Sequence, residues 1–326
     1  MSKSTRFSRR DALMIGGGAA ASIALGGMPL FAQDRLRMTI VTGGTGGVFY
    51  PYGGGLARIL SEKVPNAQVT GQVTGGSVDN VKLLHAGDAE IGFSTLDSAY
   101  DGTQGLGAYA KDGKQDVAVL AVLYDSFMHL VVSADSGVTK VSDLKGKRVS
   151  IGSAGSSTES IADRVLEAAG MNPKTDITRD NLGVAESVNA LKDGKVSAFF
   201  WIGGVPTAAV RDLATTGQPA IKLLSTSTEL AAMEKKYPGL YRPFLLPKGG
   251  YAGQEEVQGL GVANVLVVPT KADSAMITAV LSGIFDNLEE VQKIHPEAKK
   301  LSLKSAYAKT AVPFHPAAEA FYKSKA

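Results

Sequence analysis

Residues 81–93 read VKLLHAGDAEIGF, and residues 188–200 read VNALKDGKVSAFF. The stretches match in order at Val81/Val188, Leu84/Leu191, Gly87/Gly194, Ala89/Val196, Ile91/Ala198 and Phe93/Phe200, each pair 107 positions apart. Each has apolar residues at helical spacing, then a glycine of the kind that ends a helix, then an apolar run short enough for a strand. A device used twice at that distance is too widely spaced for a solenoid and implies two similar α/β units.

The pattern extends towards the N-terminus in both copies. Leu36 to Val41 alternates like a strand, Thr42-Gly43-Gly44-Thr45-Gly46-Gly47 reads as a small-residue turn, and Val48 to Lys63 has the spacing of a helix. In the second copy Lys147 to Ile151 is the strand, Gly152 to Thr158 the turn, and Glu159 to Ala169 the helix, closed by Gly170. Alternation of strand and helix calls for mostly parallel sheets flanked by helices. Ligands of such sheets sit beyond the carboxyl ends of the strands, where both turns fall. Two apolar runs, Leu130-Val131-Val132 and Val262 to Val268, suit strands that cross between the units. One lobe is then expected at 34–130 plus 262–326 and the other at 131–261.

The first 32 residues are of a different kind. Lys3, Arg6, Arg9 and Arg10 precede an uncharged stretch, Ala12 to Ala32, which is the order of an export signal cleaved near Ala32. The adjacent Arg9 and Arg10 and the mild hydropathy of the uncharged stretch fit the twin-arginine route. Of 34 basic and 31 acidic side chains, this segment holds four basic and one acidic, leaving 30 of each. A neutral chain gives no electrostatic reason to expect nucleic acid as a partner. With no cysteine, disulfides, thiolate chemistry and a lipid-anchored cysteine are excluded. A periplasmic monomer is expected.

The turns are the candidates for chemistry. Unpaired N–H groups and the positive dipole end at a helix start bind anions, and glycines let a ligand approach the backbone. Gly43 to Gly47 offers this in one unit; Ser153, Ser156, Ser157 and Thr158 add hydroxyl donors in the other. One anion site per unit suits a dicarboxylate. Tyr50, Tyr124, His129 and Trp201, the sole tryptophan, are the larger side chains expected at the cleft, and Asp97 is read as a helix cap in preference to a partner for a ligand amine. Neither turn carries a nucleotide-binding or nucleophile-elbow motif. Four scattered histidines, at 85, 129, 295 and 315, offer no metal-ligand spacing, so neither metal nor cofactor is expected. Ser153 or Ser156 with His129 is the one pair that a hydrolase reading can draw on.

Further runs carry a family resemblance: Val41 to Pro51, Gly75-Gly76-Ser77-Val78-Asp79-Asn80-Val81, His129 to Val132, Asp143 to Val149, Phe199 to Pro206 and Tyr251-Ala252-Gly253-Gln254. In these the chain resembles the TAXI family, the extracytoplasmic binding proteins of TRAP transporters. The resemblance implies a two-lobed type II periplasmic-binding-protein fold, no catalysis, a membrane permease as partner and a glutamate-like or 2-oxoglutarate-like ligand. Carried over by motif, the ligand site includes Gly44, Thr45, Gly46, Val48, Tyr50, Ser77, Thr95, Ser153, Ser156, Ser157, Thr158 and Trp201. Leu96 and Trp201 depart from the common pattern, and no arginine stands in these loops to clamp a carboxylate. The alternative recipients are an ATP-driven importer or a sensor.

Overall fold

The computed structural model describes residues 35–325. The export signal read at residues 1–32 lies outside the described residues. Strand β1 (Leu36–Val41), helix α1 (Phe49–Lys63), β2 (Ala67–Gln72), α2 (Ser77–Ala86), β3 (Ile91–Thr95) and α3 (Leu96–Gln104) form the first unit, which the long β4 (Val117–Ser133) leaves. The order recurs in β5 (Arg148–Ser150), α4 (Ser157–Ala168), β6 (Thr178–Asp180), α5 (Val184–Lys192), β7 (Ala198–Gly203) and α6 (Ala208–Thr216). Then come β8 (Ile221–Leu224), α7 (Ser227–Lys236), β9 (Arg242–Leu246) and the returning β10 (Val257–Pro269). Helices α8 (Ser274–Phe285), α9 (Leu288–Gln292), α10 (Leu303–Ala306) and α11 (Pro316–Ser324) end the described chain.

All ten strands join one sheet in the order β2-β1-β3-β10-β4-β7-β5-β6, with β8 on β4 and β9 on β10. Each half contains a parallel trio, β2-β1-β3 and β6-β5-β7. The long strands β4 and β10 run antiparallel to their neighbours. They are what the halves share. Along β4 the partner changes at Phe127, which pairs with Gly261 of β10 and with Gly203 of β7. Along β10 the partner β9 is exchanged for β3 beyond Gly261. On β4 the change falls three residues before the crossing run read from the sequence at Leu130. Residues from Tyr124 to His129 lie inside the strand rather than before it.

Burial explains why these residues form these elements. The near-continuous apolar run of β4 is covered on both faces, as a central strand must be. Helix α1 buries Tyr52, Leu56, Ile59 and Leu60 against Met38, Ile40 and Phe93 of the sheet. Truncating Leu60 there costs on the order of 2–5 kcal/mol. A cluster around Phe199, Val188 and Leu213 fills the corresponding place in the second half. A third cluster joins Val41, Val81 and Val265 to Ile161, Val149 and Phe200, so one core runs through both halves. Helix α4 starts two residues earlier than Glu159. The Ser156 hydroxyl accepts the Glu159 N–H at 3.3 Å, which makes Ser156 the cap and draws Ser157 and Thr158 into the first turn. Gly170, with φ +75°, follows the helix end as expected, and the Met171 N–H returns to Leu166 O at 2.9 Å.

Candidate functional site

Six segments converge on one cavity of 230 Å³, three from each half. The first half contributes the glycine turn before α1, the start of α2 at Gly75 to Ser77, and Thr95 at the end of β3. The second contributes Ser153 to Thr158 before α4, Gly183 to Glu186 at the start of α5, and Trp201 to Gly203 at the end of β7. Tyr124 and Ser126 of the shared strand β4 also line it. All these segments lie where strands end and helices begin. Four helix N-termini, those of α1, α2, α4 and α5, thus turn positive dipole ends to one space, although Gly155 O takes the Val78 and Asp79 N–H donors of α2.

Of the residues expected at the site, Gly44, Thr45, Gly46, Val48, Ser77, Thr95, Ser153, Ser156, Ser157, Thr158 and Trp201 line this cavity. Tyr50 does not: it is 40% exposed on the outer side of the first turn of α1, while its neighbour Phe49 takes the inner position. His129 is fully buried and is not a wall residue. Its Nδ1 faces the Trp201 carbonyl at 3.1 Å and so carries the proton. Its Nε2 accepts from the Tyr251 hydroxyl at 2.8 Å. Tyr251 in turn accepts the Thr207 N–H at 2.9 Å, and the Thr207 hydroxyl accepts the Trp201 indole N–H at 2.9 Å. This ring of bonds holds the Trp201 side chain against the cavity. Burial pushes the His129 pKa down to about 4. With both nitrogens engaged, His129 is no base for Ser153 or Ser156, whose hydroxyl donates to the Ser153 carbonyl at 2.6 Å. The Ser/His hydrolase pair is therefore not assembled.

Asp97 is not a cap either. It is buried, accepts from the Tyr241 hydroxyl at 2.8 Å and lies 3.5 Å from Arg164 of α4. Arg164 also donates to Asp101 and, at 2.6 Å, to Tyr241. Burial nevertheless pushes the Asp101 carboxyl up to about 6. This network ties α3 of one half to α4 of the other. The halves also meet beside the cavity. The N–H groups of Val78 and Asp79, in the first turn of α2, both donate to Gly155 O at 3.1 Å, and Ser77 Oγ donates to Ser157 Oγ at 3.2 Å.

Gly183 to Glu186 was missed in the sequence. The repeat pointed to it: moved by the common offset of 107, Gly76-Ser77 falls on Gly183-Val184. Among the described residues no group of three His, Asp or Glu side chains is placed to hold a metal ion, and no helix is long and apolar enough to cross a membrane.

Two half-sheets sharing two long strands, with a cavity at the carboxyl ends of both, define the fold of the periplasmic binding proteins. The chain belongs to the NMT1-like family, whose model matches residues 40–325. Among solved structures it is similar to a binding-protein component of an ABC phosphonate transporter from Pseudomonas aeruginosa, with 10% identity, a TM-score of 0.56, and coverage of 81% of this chain and 79% of that one. A protein described as a periplasmic transporter matches at 14% identity and a TM-score of 0.53, over 90% and 93% of the two chains. An ancestral arginine-binding protein bound to arginine matches at 14% identity and a TM-score of 0.50, over 82% and 99%. Identities this low express a common fold.

Proposed function

We propose that the chain is an extracytoplasmic solute-binding receptor. Its halves act as lobes, about 34–130 plus 262–326 and 131–261, that close on a small organic acid and hand it to a membrane permease. The observation that carries this reading is the cavity: four helix N-termini and a ring of hydroxyls converge on it from both halves, and His129 is engaged elsewhere. Such a site holds an anion through neutral donors and dipoles rather than transforming it. Glutamate-like and 2-oxoglutarate-like acids are the ligands that the motif resemblance suggests.

For the recipient of the cargo, the TAXI-like motifs argue for a TRAP permease. The similar phosphonate-binding protein serves an ABC transporter, and we take an ATP-driven importer as the better supported partner. Native mass spectrometry of protein purified from the periplasm without added ligand tests the receptor reading. A small acid should be released on denaturation, and adding it back should reduce the radius of gyration in solution scattering if the lobes hinge on β4 and β10. A bound acid that leaves the radius unchanged argues for a static site. Protein that carries nothing and responds to no acid argues against a receptor.

A further inference from the structure

Among the described residues lining the cavity, Glu186 is the one charged side chain; no lysine, arginine or histidine faces it. It is the third residue of α5, where a carboxylate ordinarily reaches back to cap its own helix. Among the described residues it makes no such bond and no ion pair. Its Oε2 instead stands over Gly183, 2.5 Å from where a Cβ would be. The neighbouring start of α4, in the same half and with Ser153 Oγ 3.4 Å from that same Cβ position, is of another character. At the start of α4 the N–H groups of Ser157 and Thr158 have no acceptor among the described residues, and both residues line the cavity. The start of α2 is already satisfied, since Gly155 O takes the Val78 and Asp79 N–H groups. The cavity is therefore polar in one sense: an anion-binding end at α4 and a carboxylate at α5.

We propose that Glu186 is a specificity-determining residue that selects a ligand with a hydrogen-bond donor, an ammonium group above all, beside its acid, and disfavours an acid with an acceptor in that place. This rests on the receptor reading and sharpens it, because it separates an amino acid from the matching 2-oxo acid. The two differ in little but the group that meets Glu186. A carboxylate beside an ammonium gains an ion pair, and beside a keto oxygen it faces a second acceptor. Glu186 lines the cavity but is itself exposed to solvent, so the discrimination is about tenfold rather than thousandfold and weakens with salt.

Matched pairs test it: glutamate and 2-oxoglutarate, alanine and pyruvate, leucine and 4-methyl-2-oxopentanoate, titrated calorimetrically into the wild type and Glu186→Gln. At least one amino acid should bind wild type tenfold or more tighter than its oxo partner. Glu186→Gln should bring that ratio below about threefold and leave the oxo acid bound equally well or better, which loss of structure cannot do. Equal affinities within every bound pair, or a ratio unchanged in the variant, overturns the proposal. Binding of an oxo acid with no amino acid bound also overturns it and leaves the receptor reading standing. Silence from every probe counts against both.

Discussion

Gly46 shows what closure of the proposed lobes asks of a single residue. A Cβ there would stand 3.0 Å from Val184 Cγ1 and 3.3 Å from Ala185 Cβ, both in the other half, and one on Gly47 would stand 3.0 Å from the Trp201 ring. Gly44, in the same turn, would meet nothing within 4 Å. The reading from sequence assigned these glycines to ligand contact, yet two of them admit the opposite half. A valine at Gly46 overpacks only the closed form, at a cost of roughly 1–3 kcal/mol. Gly46→Val should therefore weaken ligand binding by about tenfold or more and leave the melting temperature of the free, opening protein nearly unchanged. Gly44→Ala should change that temperature as little and act on affinity only by entering the ligand's space. Trp201, the one tryptophan and a wall residue, reports both titrations by its fluorescence. Normal affinity with a lowered melting temperature would make Gly46 a plain turn residue. Glycine and serine turns were readable because small residues in excess of a turn's need are visible in one dimension. Which way Tyr50 points was not, because one helical position turns a side chain from cavity to solvent.

At the scale of elements the repeat holds in three dimensions. Helices α2 and α5 start at Ser77 and Val184, and strands β3 and β7 start at Ile91 and Ala198, both pairs 107 residues apart. Five of the six shared positions face the core, and the sixth, Gly87 and Gly194, is an exposed helix-ending glycine with φ +81° and +67°; at each of them both copies need the same shape. The cavity-facing residues differ, Ser77 against Val184 and glycines against serines, so the repeat revealed the fold more fully than the site. The halves are also joined in a way no repeat shows. The carbonyl of Gly155 caps α2 from across the cavity, and Gly155 has φ +75° with a Cβ position 2.1 Å from Asp79 Oδ1. An alanine there is strained twice over, by its backbone and by Asp79. Gly155→Ala should open the clasp. The free protein should show a larger radius of gyration in solution scattering than wild type, and ligand affinity should fall by about tenfold with the cavity's own side chains untouched. An unchanged radius and affinity would mean that the Ser153–Ser156 loop adapts and that the clasp contributes little to closure.

For the molecule as a whole, buried charge makes stability depend on pH in two opposing senses. Asp101, raised to about 6 by burial, holds its proton in the folded state where the unfolded chain has lost it, so its contribution is lost as pH rises through that value. Burial likewise raises Asp79, Asp163, Glu229 and Glu297. His129 runs the other way. Enclosed in β4 with its Nδ1 proton on the Trp201 carbonyl and its Nε2 on Tyr251, it stays neutral down to about 4, against 6.5 in an exposed chain. Its stabilising contribution is complete above 6.5 and is lost as pH falls towards 4, because the unfolded chain takes up a proton that the fold refuses. A difference of that size corresponds to about 3 kcal/mol. The two senses partly cancel in the wild type, so its overall profile cannot isolate either. His129→Gln removes one titration and leaves the carboxylates in place. Urea unfolding of both proteins from pH 7 to pH 4 should then show the wild type losing its advantage over the variant by about 3 kcal/mol. The ring protons of His129 should show no titration above about pH 5 by NMR. A difference flat across that range, or a ring titrating near 6.5, would place His129 in contact with water and undo the bonded ring that positions Trp201.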